Sequence, residues 1–133
     1  MIIAWFSCGV TSAVACKIAL SLYDDVQIYY IETGSGHPDN TRFLSDCERW
    51  YNRPIHTIRS DKYLNVEDVL AKKRFINGPT GAACTFELKK QVRYKLEKEL
   101  DTLTAFAKTF EEETGTVLNE LEYGAGMKVS YFI

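Results

Sequence analysis

Apolar and polar positions change their spacing several times along this 133-residue chain. Met1–Phe6 is an apolar run that predicts a first strand, and a small-residue turn, Ser7-Cys8-Gly9-Val10-Thr11-Ser12, ends it. Val10–Leu22 then repeats Ala13, Val14, Lys17, Ile18 and Ala19 at helical spacing. Tyr23-Asp24-Asp25 marks a turn and Val26–Ile31 a second strand. Asp39 or Asn40 is placed to cap a helix over Thr41–Tyr51, with Phe43, Leu44, Cys47 and Trp50 on its apolar face. Asn52-Arg53-Pro54 breaks that helix before a short third strand, Ile55–Ile58. Val66–Lys73 reads as a short helix, Asn77–Ala83 as a loop holding Gly78, Pro79 and Gly81, and Phe86–Leu100 as a charged amphipathic helix.

Strands alternating with helices predict an α/β fold, a layered sandwich around a parallel sheet with right-handed crossovers. Ligands of such sheets lie beyond the carboxyl ends of the strands, which puts residues 7–12 and 32–41 on one edge. The chain divides into a core over residues 1–100 and a C-terminal part over 101–133. In the latter, Asp101–Tyr123 reads as helical, with Leu103, Phe106, Ala107 and Phe110 on one face and an acidic run at Glu111-Glu112-Glu113. Gly124-Ala125-Gly126 is a turn, and Met127–Ile133 reads as a closing strand. A hydrophobic strand of that kind is an unblunted edge, which predicts pairing with a second copy as a homodimer.

Composition narrows the class without choosing a function. At 46% hydrophobic and 13% aromatic residues the chain can bury a core, so global disorder is excluded. The formal charge of −2 gives no electrostatic reason for nucleic-acid or membrane binding. No apolar run reaches bilayer length, and the strand-like start lacks a basic region and a cleavage site. Cys8, Cys16, Cys47 and Cys84 have no paired spacing and read as reduced thiols, which points to a cytoplasmic protein.

The chemistry concentrates where the first strand runs into the first helix. That junction leaves unpaired N–H groups at the positive end of the helix dipole, a site suited to phosphate. Gly9 lets a ligand approach the backbone, and Ser7, Thr11 and Ser12 add hydroxyls. An ordinary strand followed by a Ser/Thr-capped helix has the same look.

Two further segments distinguish these readings. Glu32-Thr33-Gly34-Ser35-Gly36-His37-Pro38-Asp39-Asn40-Thr41 follows the second strand, and Cys84-Thr85-Phe86-Glu87-Leu88-Lys89-Lys90 lies downstream of the Gly/Pro loop. In this order and spacing the three segments resemble the PP-loop superfamily, and within it the PAPS reductase-like branch. Residues 7–12 resemble its Ser-Gly-Gly-x-Asp-Ser loop, residues 32–41 its Asp-Thr-Gly…Pro-Glu-Thr loop, and Cys84 with Lys89 its Cys…Lys segment. The resemblance spans about residues 1–98. It implies a three-layer, Rossmann-like sandwich in which strands one and two are neighbours. It also implies an adenine nucleotide, ATP or a sulfonucleotide, with Mg²⁺ accompanying ATP. The phosphates would lie on Ser7, Cys8, Gly9, Val10, Thr11 and Ser12, with Thr33, Gly34, Ser35 and His37 on the adenosine side. Arg74 and Lys89 would neutralise charge.

The sequence departs from that pattern at several points. Cys8 replaces the loop's first glycine, so the loop is expected to differ in shape, and Thr11 replaces its acidic residue. A cradle of backbone N–H groups tolerates both changes, whereas ATP cleavage is less protected. Thr11, His37 and Cys84 are the catalytic candidates. His37 is placed to contact phosphate or act as an acid, or else is a solvent-facing loop residue. Cys84 reads either as a nucleophile activated ahead of a helix or as a small buried thiol. His56, within a strand, reads as structural. No set of four clustered thiols suits an iron–sulfur centre, and no metal site is predicted. The Glu-Cys-Gly nucleophile segment of true reductases does not occur, nor does the branch's C-terminal Gly-x-Arg; the last arginine is Arg93. Nucleotidyl or pyrophosphate transfer is therefore expected rather than sulfate reduction, with a non-catalytic nucleotide binder or a subunit of a larger assembly as the alternative.

Overall fold

In the computed structural model, which describes residues 1–101, β1 (Ile2–Phe6), β2 (Val26–Glu32) and β3 (Ile55–Arg59) form a parallel sheet in the order β1-β2-β3. The register sets Trp5 beside Tyr29 and Phe6 beside Tyr30, and then Tyr29 beside His56. Parallel neighbours need crossovers, supplied by α1 (Val10–Leu22) and α2 (Asn40–Tyr51). β2 and β3 run one residue past their apolar patterns because Glu32 and Arg59 still pair across the ladder.

Both crossovers cover the same face of the sheet. Ala4, Phe6, Val26, Ile28, Tyr30 and Ile55 meet Ala13, Cys16 and Ala19 of α1 and Cys47 and Tyr51 of α2. Phe6 is 2% exposed, and its ring lies 6.0 to 6.5 Å from those of Phe43, Tyr30 and Tyr51. Replacing such a buried ring by alanine costs about 3–5 kcal/mol. The Tyr51 hydroxyl donates to the Ala13 carbonyl at 2.8 Å, so the one polar group brought into this cluster by Tyr51 is satisfied.

Two sequence expectations fail in this layer. α1 buries Ser12, Ala13, Cys16 and Ala19, while Val14 and Ile18 turn outward in line with Val10 and Leu22. Lys17 is the helix's one charged residue, so apolar positions run nearly all round it and spacing does not select a face. Small side chains take the sheet side, where close approach favours them. Trp50 is half exposed, because Lys17 lies over its ring and donates to its carbonyl at 2.8 Å. Tyr51 takes the buried place instead.

α3 (Val66–Lys73) begins at Asn65, whose side chain accepts the Asp68 N–H at 2.9 Å. The Gly/Pro loop folds as a small hairpin, β4 (Asn77–Gly78) against β5 (Gly81–Ala82). A helix follows over residues 83–101. It opens as α4 (Ala83–Thr85), passes through a π-helical turn at Phe86–Lys90, and continues through residues 91–101. It starts earlier than its charged pattern because Ala83 and Leu88 pack with Val69 in a second cluster, beside Tyr63, Val66 and Cys84. Lys89, Lys90 and Arg93 of this helix share a cavity with Trp5 and Ile31, which alternate away from the α1–α2 face. Helices thus flank the sheet on both sides, the expected three-layer α/β sandwich. The sequence expectations beyond residue 101, the rest of the Asp101–Tyr123 helix and the Met127–Ile133 strand with its dimer, lie outside the described residues.

Candidate functional site

The loop after β1 is organised by one buried hydroxyl. Ser12 Oγ accepts the Ser7 N–H at 3.1 Å and the Ser7 hydroxyl at 2.9 Å, and donates to the Gly9 carbonyl at 2.9 Å. Its bonding capacity is filled inside the loop, so Ser12 holds the shape rather than offering a proton to a ligand. Gly9 is the N-cap of α1 in an extended conformation, with no side-chain cap and no acid in the first turn. The first-turn N–H groups therefore face the loop mouth with the dipole's positive end behind them. A Cβ built on Gly9 meets only Ser7 Oγ, at 3.7 Å, so the protein itself tolerates a side chain there. Val10 and Thr11 are exposed on the same turn.

Cys8 takes a backbone conformation that glycine adopts most readily. Its φ of 61° is left-handed, a strained position for a residue with a Cβ. The thiol donates to the Asn40 carbonyl at 3.3 Å, tying the loop to the start of α2. Burial, then the neighbouring Cys47 and Glu32, push this thiol up from its ordinary value, so it stays protonated near neutrality and is a poor nucleophile.

The loop after β2 packs against the entry to α3. Gly34 has φ 77°, and a Cβ there would stand 2.0 Å from the Leu64 carbonyl oxygen, so glycine is required. The Gly34 N–H donates to Glu32 at 2.8 Å; the Ser35 hydroxyl donates to Glu67 at 3.2 Å and accepts the Val66 N–H at 3.0 Å. The Tyr30 hydroxyl donates to the second Glu32 oxygen at 3.2 Å, and burial followed by that carboxylate raises its pKa.

Between these loops and the 83–101 helix lies a cavity of about 400 Å³. Of the expected nucleotide contacts Ser7, Thr33, Ser35 and Lys89 line it and Cys8, Gly9, Val10, Thr11, Ser12 and Gly34 do not; the rest of the wall is Gly36, Asn40, Trp5, Phe6, Tyr30, Ile31, Lys90 and Arg93. The π turn spaces Lys89, Lys90 and Arg93 along one side of the helix, giving the cavity three cations above an aromatic wall. Lys90 stands beside Lys89 as a neutraliser of phosphate charge, whereas Trp5, Tyr30, Asn40 and Arg93 are cavity residues that the sequence reading misses. The signals for them are that Trp5 and Tyr30 precede the loops on adjacent strands and that Arg93 follows Lys89 at helical spacing.

Other candidates lie apart from the cavity. His37 Nδ1 accepts the Asp39 N–H at 3.1 Å and its carbonyl accepts the Asn40 N–H, so it shapes the entry to α2. The Asp39 carboxylate does not cap α2; both its oxygens take Arg42, which holds the carboxyl below its usual range. Arg74 is an exposed left-handed residue closing α3. Cys84 is in the first turn of the helix rather than ahead of it, packed with the Val69 cluster. His56 Nε2 lies 3.1 Å from Gln27 Oε1, with its ring against Tyr29, in keeping with a structural role. None of the four cysteines lines the cavity, and all are free thiols. Among the described residues no three His, Cys, Asp or Glu side chains converge to hold a metal. Nor is any helix among them long and apolar enough to cross a membrane.

A parallel α/β sheet with an uncapped helix start and a cationic cavity at its carboxyl edge defines a domain of the PP-loop, adenine nucleotide α-hydrolase-like kind. The chain belongs to the phosphoadenosine phosphosulfate reductase domain family, whose model matches residues 1–115. No curated protein matches the chain significantly by sequence.

Proposed function

We propose that this chain binds an adenine nucleotide, ATP or a sulfonucleotide, in the 400 Å³ cavity and transfers its nucleotidyl or pyrophosphate group. The observation that carries the reading is the convergence of Ser7, Lys89, Lys90 and Arg93 on one concavity, with the open α1 start two residues beyond Ser7. In this reading the phosphates sit against the N–H groups of Gly9, Val10 and Thr11, and the three cations take the charge that develops on transfer. Trp5 and Tyr30 offer faces to a base, and Thr33 and Asn40 offer polar contacts. Catalysis would come from positioning and charge stabilisation. Mg²⁺ would arrive on the nucleotide, since both oxygens of the nearby Glu32 already accept protein hydrogen bonds.

The raised Cys8 pKa, and a cavity wall without thiols, favour transfer over thiol-dependent sulfate reduction. Four free thiols favour a cytoplasmic setting. The alternative of a non-catalytic binder draws support from Thr11 at the loop's acidic position, and the homodimer through Met127–Ile133 stays a proposal for sedimentation to test.

Calorimetry with ATP, a non-hydrolysable analogue and adenosine 3′,5′-bisphosphate, each with and without Mg²⁺, tests the binding. Lys89→Gln combined with Lys90→Gln is expected to weaken the preferred nucleotide about tenfold or more. Unchanged affinity in that folded variant would remove the reading. Pyrophosphate or AMP release over long incubation separates the transferase from the silent binder.

A further inference from the structure

The loop after β3 builds a second concavity on the opposite side of the 83–101 helix. β3 ends at Arg59 on the same sheet edge as the first cavity. The chain then wraps around one hydroxyl: Ser60 Oγ accepts the N–H groups of Lys62 and Tyr63, each at 3.2 Å. With its lone pairs occupied by backbone donors, that hydroxyl has its proton left to give. The Arg59 guanidinium is fixed by one bond to the Leu64 carbonyl at 3.1 Å, which orients the rest of its fork.

These groups line a cavity of about 340 Å³ with Asp61, Lys62, Glu87, Gln91, Val92, Tyr94, Lys95 and Lys98. The two acids of that wall are already matched, Asp61 by Lys95 at 2.8 Å and Glu87 by Lys73 at 2.9 Å. Arg59 and Lys62 therefore bring positive charge beyond what the wall's own acids neutralise. Buried Val92 and the half-exposed Tyr94 ring add an apolar surface beside it. The wider surroundings agree: residues 59–98 hold ten Lys and Arg against five Asp and Glu, in a chain whose formal charge is −2.

We propose that this cavity is a second ligand site, which takes a small organic anion, a phosphate or carboxylate on an apolar or planar body. Its donors converge on one concavity instead of running as a stripe, which fits a small molecule better than a polyanion. Arg59, Lys62 and the Ser60 hydroxyl hold the anionic group, and Tyr94 and Val92 take the body. The site does not depend on what the first cavity binds.

The test is a nuclear magnetic resonance titration of the full chain with phenyl phosphate and, separately, benzoate. Saturable shifts of the Ser60–Tyr63 amides with at least one probe are expected, and the stronger arm tells phosphate from carboxylate. Lys62→Gln, which removes a side chain from the wall without touching a folded-state bond of that side chain, is expected to weaken the shift-derived affinity about fivefold or more. Arg59→Gln with Lys62→Gln should abolish the shifts. The proposal is overturned if neither probe moves these amides, if shifts are confined to Ser7–Ser12, or if Lys62→Gln leaves the affinity unchanged.

Discussion

α1 and α3 follow the two outer strands of the sheet, and their first turns are built in opposite ways. α3 is closed from within: Asn65 accepts the Asp68 N–H, Glu67 and Asp68 put negative charge in the first turn, and Asp68 accepts the Leu64 N–H at 3.1 Å. α1 is open: glycine at the cap, no acid in the first turn, and its organising serine engaged elsewhere. An open helix start leaves donors without partners, a standing cost of stability that an anion removes. α2 shares the open form, without a side-chain cap or a first-turn acid, so it is the Gly9 cap beside the cavity-lining Ser7 that makes the α1 start the candidate for a ligand under the proposed function.

The contrast is broken most severely at Gly34, where the β2 loop leans on the α3 entry. Gly34→Ala sets a Cβ against the Leu64 carbonyl at a left-handed position and is expected to cost about 3 kcal/mol or more, read as a fall in the chemical-denaturation midpoint. Gly9→Asp converts the open end into a closed one. Its extended backbone suits a capping aspartate, so stability should rise by about 0.5–1 kcal/mol while nucleotide affinity falls about tenfold or more. A variant that gains stability and still binds would show that the α1 start is not the phosphate site. Asn65→Ala is the mirror experiment: about 1 kcal/mol of stability lost, with nucleotide affinity unmoved. The smallest effect is in pH. The Leu64 N–H and then Lys72 hold the Asp68 carboxyl below the ordinary aspartate value, about 3.9. Its contribution is therefore complete above that value and fades as pH falls through the lower, folded-state pKa. Amide exchange should quicken around Leu64–Asp68 below about pH 3.9, with no matching change at Val10–Ala13.

The same contrast explains what could be read from the sequence. β1 to α3 were legible to within a residue or so because alternation and helical period leave a strong pattern, punctuated by Asn52-Arg53-Pro54 and by Gly78 and Pro79. The outward turn of Val14 and Ile18 was not, since a helix apolar all round has no preferred side. The cradle was legible through its contiguous motif, but Ser12's inward role is a matter of hydrogen-bond direction, which residue identity leaves open. Arg74 and Cys84 lie in or beside segments that suggested function, yet caps and packing claim them. Trp5 and Arg93 reach the cavity by register and by the π turn, neither of which a linear motif records.

That π turn has a consequence for the whole C-terminal half of the helix. A regular α-helix advances about 100° per residue, and the wider turn at Phe86–Lys90 takes up one extra residue without passing that step on. Deleting that extra residue closes the π turn to a regular one and leaves the aim of Arg93, Tyr94 and Lys95 as it is, whereas a deletion at Gln91 in the regular helix beyond it indexes all three round by that angle. Two cavities that share no residue are thus coupled through the residue count of one helix, and a one-residue change beyond the π turn would re-aim the walls of both at once.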